Sequence, residues 1–543
     1  MDSLRAARIP LASFVLLSGC APRVQAPPAP ARPEVTTTEG VVRGKTDAQG
    51  VDSYLGVPYA SPPVGPARWR EPAPPRAHEP LDAVAFRLPC PQIPIPQGSD
   101  SFGAGKRIPT SEDCLFLNLW IPPHQPGSRL PVMLWSHGGQ YLRGSPAQYE
   151  GDQLARLGNV IVVTLAYRLG PMGFLAHPAL TAESPLHTSG NQALLDHIQA
   201  LRWLRANVDR FGGDPDRITL FGESAGSATA CALLGSPLAA GLFHRAILQS
   251  NACQDDEGTP PIAGREAFGR RMAKALGCED AQPAAELACM RGKTEEEVLT
   301  AIPLAKVFGD SGEGVGYRFT LDGVVLTHSP AKAVLAGKGQ RMPVMMGTTD
   351  DEMGRYVGGY GITTAEQLRA LIAKEWPRSV PALTEMYRVE DGQDPFPQLS
   401  ALFSDEASTC PVRRDAIAFS KMAHPVYLYR FLHAPEVMGG PKGLGAFHGA
   451  ELVYLFPSIF RRYNLKYTEK DRPLAELMAG YWGRFAATGD PNGGGALAWP
   501  RYQPAEDRHM ALDLVPSAGA GLRRAQCDLW DRVEGAPAEA AAH

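Results

Sequence analysis

The stretch Thr219 to Thr229, TLFGESAGSAT, joins a run of β-branched and aromatic residues to a run of small residues. The first run is typical of a buried strand, and the residues after Ser224 favour a helix. A strand that turns directly into a helix with Gly-x-Ser-x-Gly at the corner is the pattern of a nucleophile elbow. Gly222 and Gly226 leave room for the backbone to pass close to Ser224. Ser224 is therefore the candidate nucleophile, and the alternative is a glycine-rich turn without chemistry in a chain with 56 glycines.

Buried strands and amphipathic helices alternate on both sides of this stretch. The residues from Asn191 to Phe211 have helical periodicity, and Gly212 follows them. Near-continuous apolar runs, which are typical of buried parallel strands, occur at 114–121, 131–136, 160–165, 246–249, 343–347 and 426–431. This alternation predicts an α/β fold with a central, mostly parallel sheet and helices on both faces.

Two kinds of segment lie outside that alternation. Short β-like runs separated by turns in residues 34–70 predict a small N-terminal antiparallel sheet. Residues 254–340 are polar and broken, and they predict a helical cap inserted over the sheet. Further helices are expected in 364–423, and the small, polar residues 536–543 are expected to be a disordered tail.

The overall charge argues against nucleic acid as a partner. The formal net charge is -4 over 543 residues, and no basic run stands out. The hydrophobic content of 44% is that of an ordinary globular protein, and no run of about 20 apolar residues predicts a membrane-spanning helix.

The first residues have the pattern of an export signal. Arg5 and Arg8 flank a short apolar core, which ends in Leu17-Ser18-Gly19-Cys20. This ending resembles the bacterial lipobox, so residues 1–19 are expected to be removed and Cys20 to be lipidated. The Pro/Ala-rich residues 20–33 would then tether a single folded domain, 34–535, to the cell envelope on the periplasmic or outer-membrane side. An ordinary secretory signal is the alternative.

An exported chain can keep disulfides, so the other cysteines were considered as pairs. Cys231 and Cys253 are predicted to be buried thiols, with a further disulfide as the alternative. Two other pairs lie close together within polar or Pro/Gly/Ser-rich segments: Cys90 with Cys114, and Cys278 with Cys289.

A serine nucleophile needs a base and an orienting acid, which should lie in loops just after strands. With the chain order Ser, acid, His, the acid is expected among Asp350, Asp351 and Glu352, which follow the strand at 343–347. His448 lies in the glycine-rich loop after the strand at 426–431 and is the candidate base, with His433 as its competitor.

The third requirement is a set of donors for a developing oxyanion. The loop His137-Gly138-Gly139-Gln140-Tyr141 follows the strand at 131–136, where such donors belong. The backbone N–H groups of Gly139, Gln140 and Ala225 are the candidates for this oxyanion hole.

At this point the sequence resembles the type-B carboxylesterase/cholinesterase family, from about residue 34 to residue 531. The similar blocks are SEDCLFLNLW, PVMLWSHGG, AYRLGPMGFL, GNQALLDHIQALRWLRANVDRFGGDP, TLFGESAGS, GTTDDE, GAFHGAE and RFAATGDPNG. The resemblance implies an α/β-hydrolase fold, and together with the lipobox-like ending at Cys20 it suggests a bacterial lipoprotein member of the family. It also implies Ser224 as nucleophile, Glu352 as acid and His448 as base.

Further assignments come only from this resemblance. It implies the disulfides Cys90–Cys114, Cys278–Cys289 and Cys410–Cys527. It also implies three residues that support the triad and two structural ion pairs: Glu223, Ser250 and Asp405, and the pairs Arg68–Glu112 and Arg168–Asp196.

Two departures from the family pattern bear on substrate choice. The family usually has a third glycine where this chain has Gln140, which keeps a backbone donor but adds a side chain to the pocket. The segment between Cys90 and Cys114 contains no tryptophan. Cholinesterases use one there to bind a quaternary ammonium group, so choline esters are not expected to be preferred substrates.

The expected activity is hydrolysis of small-molecule carboxylic esters through an acyl-enzyme, a reaction that requires no metal or cofactor. One alternative is a catalytically inactive, cholinesterase-like binding protein on the cell surface. The other is a specialised hydrolase for a xenobiotic, mycotoxin, polyester or lipid ester.

Overall fold

The computed structural model describes residues 32–93, 108–253, 259–303, 316–436, 445–459 and 467–535. The predicted export signal with Cys20, nearly all of the tether and the predicted tail 536–543 lie outside the described residues. Within the described ranges, no helix combines the length and the apolarity that a membrane crossing requires.

Eleven strands form the main sheet, in the order β14-β13-β12-β11-β10-β9-β7-β8-β6-β4-β3. The strands of this sheet are β3 Lys45–Thr46, β4 Asp52–Pro58, β6 Phe116–Ile121, β7 Leu130–Ser136, β8 Ile161–Leu165, β9 Gly213–Glu223, β10 Arg245–Gln249, β11 Val344–Thr349, β12 Val426–Phe431, β13 Arg508–Leu512 and β14 Ser517–Ala520. The central strands from β8 to β13 pair in parallel, whereas β3, β4, β6 and β14 pair antiparallel at the two sides. The predicted α/β fold with a mostly parallel sheet is confirmed.

A small second sheet contains β1 Glu34–Thr36, β2 Val41–Arg43 and β5 Leu81–Asp82. β1 and β2 pair antiparallel, as expected for this N-terminal region. β5 pairs in parallel with β2, on the side of β2 away from β1, after a long connection that includes β3 and β4. The antiparallel pairing predicted for residues 34–70 is confirmed for β1 and β2, and the parallel strand β5 lies beyond those residues.

Helices occupy the connections between strands and the two segments expected to carry them. The described α-helices are α1 Asp152–Gly158, α2 Gly170–Phe174, α3 Pro178–Glu183, α4 Gln192–Asn207, α5 Ala225–Gly235, α6 Ile262–Ala275, α7 Pro283–Arg291, α8 Glu295–Thr300, α9 Pro330–Leu335, α10 Gly354–Val357, α11 Ala365–Glu375, α12 Val380–Met386, α13 Phe396–Ser404, α14 Cys410–Lys421, α15 Leu452–Leu455, α16 Arg472–Thr488 and α17 Arg524–Val533. Helix α4 ends in a short 3₁₀ turn and then Gly212 in the left-handed region, as the sequence predicts.

Both faces of the sheet are covered, because alternate residues of each strand point to opposite sides. On β7 and β9, Leu134 and Leu220 belong to one buried apolar cluster, and Trp135 and Phe221 belong to another. The sheet is therefore a rigid support on which the loops at the carboxyl ends of β7, β9, β11 and β12 are held.

Four disulfides link the eight cysteines of the described ranges. The expected pairs Cys90–Cys114, Cys278–Cys289 and Cys410–Cys527 are all present. The structure also joins Cys231 of α5 to Cys253, with 5.5 Å between their Cα atoms, so the prediction of two thiols was wrong. Both cysteines are buried, as expected, but the chain turns sharply at Ser250 (φ 55°) after β10 and returns over α5, which brings the two sulfurs together.

The two expected ion pairs are present as structural contacts. Arg68 contacts Glu112 at 2.5 Å and Arg168 contacts Asp196 at 2.6 Å. Each arginine also donates to backbone carbonyls, Arg68 to Lys293 O and Arg168 to Arg70 O. These side chains thus join distant segments of the chain through buried, fully bonded charges.

The Cys231–Cys253 disulfide is testable by peptide mapping of the unreduced protein, which should recover the two cysteines in one linked peptide. Substituting both by serine should lower the melting temperature, because removal of a native disulfide typically costs about 2–5 kcal/mol. The matched comparison is the double serine variant of Cys278 and Cys289, which changes a pair of shorter loop length. Recovery of Cys231 and Cys253 as separate alkylated peptides would contradict the assignment.

Candidate active site

Ser224 lies at the sharp turn between β9 and α5. Its φ and ψ are 56° and -124°, a conformation that non-glycine residues rarely adopt. The backbone around it is fixed from the neighbouring strand, since Ser224 N–H donates to Gln249 O at 2.9 Å and Asn251 Nδ2 donates to Ser224 O at 3.2 Å. The predicted strand–turn–helix geometry is thus formed, with Ser224 at its corner.

The two glycines of the motif are required by close packing. A Cβ on Gly222 would lie 2.6 Å from the carbonyl carbon of Gly226 and 2.7 Å from Ser136 O. A Cβ on Gly226 would overlap Ser136 O directly. The elbow therefore packs against the end of β7, which carries the candidate oxyanion loop.

His448 and Glu352 form a hydrogen-bonded pair. The distance between His448 Nδ1 and Glu352 Oε2 is 2.5 Å. Glu352 is completely buried, and its other oxygen accepts a hydrogen bond from Thr349 N–H at 2.7 Å. Of the residues proposed as acid and base from the sequence, the structure brings these two together.

His433 lies elsewhere. Its ring nitrogens face Asp513 at 3.1 Å and Asp471 at 3.5 Å. This competitor is thus engaged with carboxylates of a different part of the fold, on segments remote in sequence from the elbow.

The second ring nitrogen of His448 faces Glu223, the residue before the candidate nucleophile. His448 Nε2 lies 3.0 Å from Glu223 Oε1, and within the described residues no hydrogen bond joins His448 to Ser224 Oγ. The Glu223 carboxylate fits between two glycines, because a Cβ on Gly138 would lie 2.6 Å from Oε2 and one on Gly449 would lie 3.3 Å from Oε1. Glu223, which the resemblance offered only as a supporting residue, thus contacts the base directly.

Burial and these carboxylates set the protonation of the imidazole. Burial alone would lower the pKa of His448, but the negative charges of Glu223 and Glu352, with the Tyr356 phenol, raise that pKa well above its usual value. Burial raises the pKa of Glu223 to about 7, although His448 acts to lower it. The protonation of the imidazole and that of Glu223 are therefore coupled.

The loop expected to supply oxyanion donors has an unusual backbone. Gly139, Gln140 and Tyr141 are in the left-handed region, with φ values of 113°, 59° and 62°. In the described part of the chain, the N–H groups of Gly139, Gln140 and Ala225 have no protein acceptor. The loop lies against the elbow, since a Cβ on Gly138 would be 3.0 Å from Ser224 Cβ. Unpaired N–H groups at a helix N-terminus and a strained loop form an environment suited to an anion.

Packing fixes this loop from behind. Tyr167 Oη donates to His137 O at 2.6 Å, and the Tyr167 ring stacks on the His137 ring with centroids 4.4 Å apart. The ring of Tyr141 packs between those of Phe174 and Phe319, each 5.2 Å away. The loop that carries Gly139 and Gln140 is therefore held by aromatic packing and by the hydrogen bond from Tyr167.

The remaining supporting residues lie further out. Ser250 N–H donates to Gly347 O at 2.8 Å, and its buried hydroxyl has no partner within the described residues. Asp405 pairs with Arg523 and accepts a hydrogen bond from Tyr387 at 2.8 Å, and in the described part of the chain no hydrogen bond joins it to Glu352. Ser404, the residue before Asp405, accepts a hydrogen bond from the N–H of Met353, which follows Glu352, at 3.0 Å.

Glu451 is a component of the site that the sequence reasoning missed. It is fully buried and accepts a hydrogen bond from Gln249 Nε2 at 3.0 Å, while Gln249 Oε1 accepts from Trp482 Nε1 at 3.2 Å. Burial, reinforced by Glu223 and Glu352, raises the pKa of Glu451 to about 8. The available signal was its place three residues after His448, in the block GAFHGAE.

The arrangement can perform nucleophilic chemistry at a carbonyl group. It combines a hydroxyl on a strained turn, an imidazole oriented by a buried carboxylate, and free backbone donors beside the hydroxyl. Within the described ranges, no group of three or more His, Cys, Asp or Glu residues is arranged to hold a metal ion.

Comparisons with known proteins agree with this chemistry. A model of the carboxylesterase family matches residues 31–530. The cocaine esterase of Homo sapiens is 33% identical over 533 residues, covering 93% of this chain and 92% of that protein. The fumonisin B1 esterase of Sphingopyxis macrogoltabida is 35% identical over 500 residues, covering 89% and 87%. The solved structure of a PNB esterase matches with a TM-score of 0.76 and 31% identity, covering 92% of this chain and 99% of its own.

The electrostatics of His448 predict the pH dependence of Ser224 reactivity towards a fluorophosphonate. As the expected base, His448 can accept the serine proton only as the neutral imidazole, so the labelling rate should increase as the pH rises through the raised pKa of His448. Glu223→Gln removes a negative charge that raises this pKa, and the rising limb should therefore move to lower pH.

Glu406→Gln is the control for this experiment. Burial raises the pKa of the Glu406 carboxyl to about 7 as well, with a contribution from Glu534 and none from the active site. In this variant, the rising limb of the labelling rate against pH should lie at the same pH as in the wild type. A limb that stays in place or moves to higher pH in Glu223→Gln would contradict the electrostatic role of Glu223.

Proposed function

The chain belongs to the carboxylesterase family and is a carboxylic ester hydrolase, and we propose that it acts on small-molecule esters through a Ser224-His448-Glu352 triad and an acyl-enzyme intermediate. The observation that carries this proposal is the 2.5 Å hydrogen bond between His448 and Glu352 beside the elbow of Ser224. Glu352 keeps the proton on Nδ1, so Nε2 is the ring nitrogen that acts as base.

In the first step, His448 Nε2 accepts the proton of Ser224 Oγ as the oxygen attacks the ester carbonyl carbon. For this step, Nε2 must turn from the Glu223 carboxylate to the Ser224 hydroxyl. Glu223 and Ser224 are adjacent residues in the chain. Because burial raises the pKa of Glu223 to about 7, this carboxyl group can take up a proton. Its negative charge then no longer attracts the imidazole. Hydrogen bonds in free enzymes often tighten only when substrate is bound.

The negative charge that develops on the carbonyl oxygen needs donors. The N–H groups of Gly139, Gln140 and Ala225 are proposed to supply them, and one such donor is worth about 10²–10³ in rate. The Gln140 side chain does not remove its backbone donor. His448 then protonates the leaving alcohol and, in the second half-reaction, removes a proton from the water that hydrolyses the acyl-enzyme.

The central test is hydrolysis of p-nitrophenyl esters from acetate to long acyl chains, with Ser224→Ala alongside. The wild-type protein should release p-nitrophenol with a burst equal to one acyl group per site, and the variant should lose about 10⁴-fold or more in kcat. The dependence on chain length measures the acyl pocket.

The outcomes separate the alternatives. A wild-type protein that neither hydrolyses any ester of the series nor reacts with a fluorophosphonate would favour the inactive binding protein. A wild-type protein that reacts with the fluorophosphonate but hydrolyses none of the p-nitrophenyl esters would favour a specialised ester substrate. Equal turnover by Ser224→Ala would rule out this nucleophile.

We also propose export with lipid attachment at Cys20, which is supported by the four disulfides, since such bonds persist in oxidising compartments. Radiolabelled palmitate fed to a bacterial host should be incorporated into the wild-type chain but not into Cys20→Ala. The wild-type chain should also partition into the detergent phase of Triton X-114. Detergent partitioning that is equal for both chains would refute the anchor.

A further inference from the structure

The three consecutive carboxylates of the acid loop, Asp350, Asp351 and Glu352, engage three different partners. Glu352 holds His448. Asp350 is partly exposed and pairs with Arg430 at the end of β12. Asp351 contacts residues 445–447 of the loop that carries His448, here called the base loop. Asp351 belongs neither to the proposed triad nor to the proposed oxyanion hole.

Asp351 is bonded to the base loop through both its backbone and its side chain. Its N–H donates to Ala446 O at 2.9 Å, and it forms an isolated parallel bridge with Phe447. Its Oδ2 accepts a hydrogen bond from Gly445 N–H at 3.2 Å. The residues that lead directly into His448 are thus tied to the residue before Glu352.

The same carboxylate reaches a third segment. Asp351 Oδ1 accepts a hydrogen bond from the Ser400 hydroxyl on α13. A Cβ on Gly354 would overlap the carboxylate, and a Cβ on Gly445 would lie 3.1 Å from Asp351 Cβ. The two glycines therefore leave a fitted space for this side chain between α10, α13 and the base loop.

We propose that Asp351 is a positioning residue, whose carboxylate holds residues 445–447 against the acid loop and so fixes the His448 ring on Glu352. This role rests on the proposed function of the triad. It matters because residues 445–447 lie outside the main sheet, and because misplacing a catalytic group by about 1 Å can cost about 10²-fold in rate.

The substitution Asp351→Ala should separate catalysis from folding. A polar cavity of about 260 Å³, lined in part by Asp351, Ser400 and Arg523, lies beside this carboxylate, so water can take the place of its oxygens. We expect kcat for p-nitrophenyl acetate to fall about 10- to 100-fold with KM changed by less than about threefold.

Two further readouts distinguish positioning from a general structural effect. Asp351→Asn keeps an oxygen for Gly445 N–H and an amide for Ser400, so it should restore kcat to within about threefold of the wild type. In Asp351→Ala the rising limb of the pH profile should move to lower pH, because a loosened His448 loses part of its contact with Glu352. Glu223, Glu352 and Tyr356 face the imidazole in all these variants and are unchanged.

Asp350→Ala is the matched control, since it removes the neighbouring carboxylate without touching the base loop. It should leave kcat within about twofold of the wild-type value, and the rising limb of the pH profile should stay at the same pH. Equal losses in Asp350→Ala and Asp351→Ala, or an unimpaired Asp351→Ala with the wild-type melting temperature, would overturn the positioning role.

Ser400→Ala keeps the proposal testable if Asp351→Ala does not fold. This substitution removes one hydrogen-bond partner of the Asp351 carboxylate, so it should lower kcat by less than Asp351→Ala does. If a folded Ser400→Ala keeps the wild-type kcat and the wild-type rising limb of the pH profile, that result would count against the positioning role of Asp351. An inactive wild type that a fluorophosphonate cannot label would overturn the proposed function, and the role of Asp351 with it. An active wild type confines any failure to Asp351 alone.

Discussion

The hydrogen bond between Glu352 and His448 exists because β11 and β12 are adjacent and parallel. Each strand ends at the same edge of the sheet, so the loop after one meets the loop after the other. β9 is separated from β11 only by β10, which places the elbow of Ser224 at that same edge. Any fold that broke the parallel order of these strands would separate Ser224, Glu352 and His448, which lie 96 to 224 positions apart in the chain.

The site concentrates acidic groups around one imidazole. Glu223, Glu352 and Glu451 are all buried, and the pKa values of Glu223 and Glu451 are raised to about 7 and about 8. A buried ionised carboxylate without a partner is costly, so these two groups take up protons more readily than ordinary glutamates. Among the described residues, the His448 imidazole contacts both Glu223 and Glu352, and its protonation is coupled to that of Glu223.

Much of the fold could be predicted from the sequence, because the buried strands are near-continuous apolar runs and the elbow has a short, local pattern. Two criteria reduced the candidates for the base to His433 and His448: the chain order Ser, acid, His, and a position just after a strand. The structure pairs His448 with Glu352. Glycine-rich loops and strand ends are encoded locally, which is why these expectations correspond to features of the structure.

The remaining features depend on contacts between distant segments, which no local pattern encodes. Cys231 and Cys253 are each typical of buried thiols, and only the turn at Ser250 brings them together. The approach of Glu223 to His448 and the burial of Glu451 against Gln249 are likewise properties of packing. The parallel pairing of β5 with β2 depends on how a long connection is routed, not on the strand sequences.

The strained backbone of Ser224 has a consequence for how the molecule can be followed in solution. A conformation of this kind costs about 1–3 kcal/mol and persists only while the surrounding structure imposes it. Gly222, Gly226 and the end of β7 impose it through contacts too close for any side chain. Covalent labelling of Ser224, the proposed nucleophile, would therefore report on local native packing, because it requires β7, β9 and α5 to hold the Ser224 backbone in this conformation.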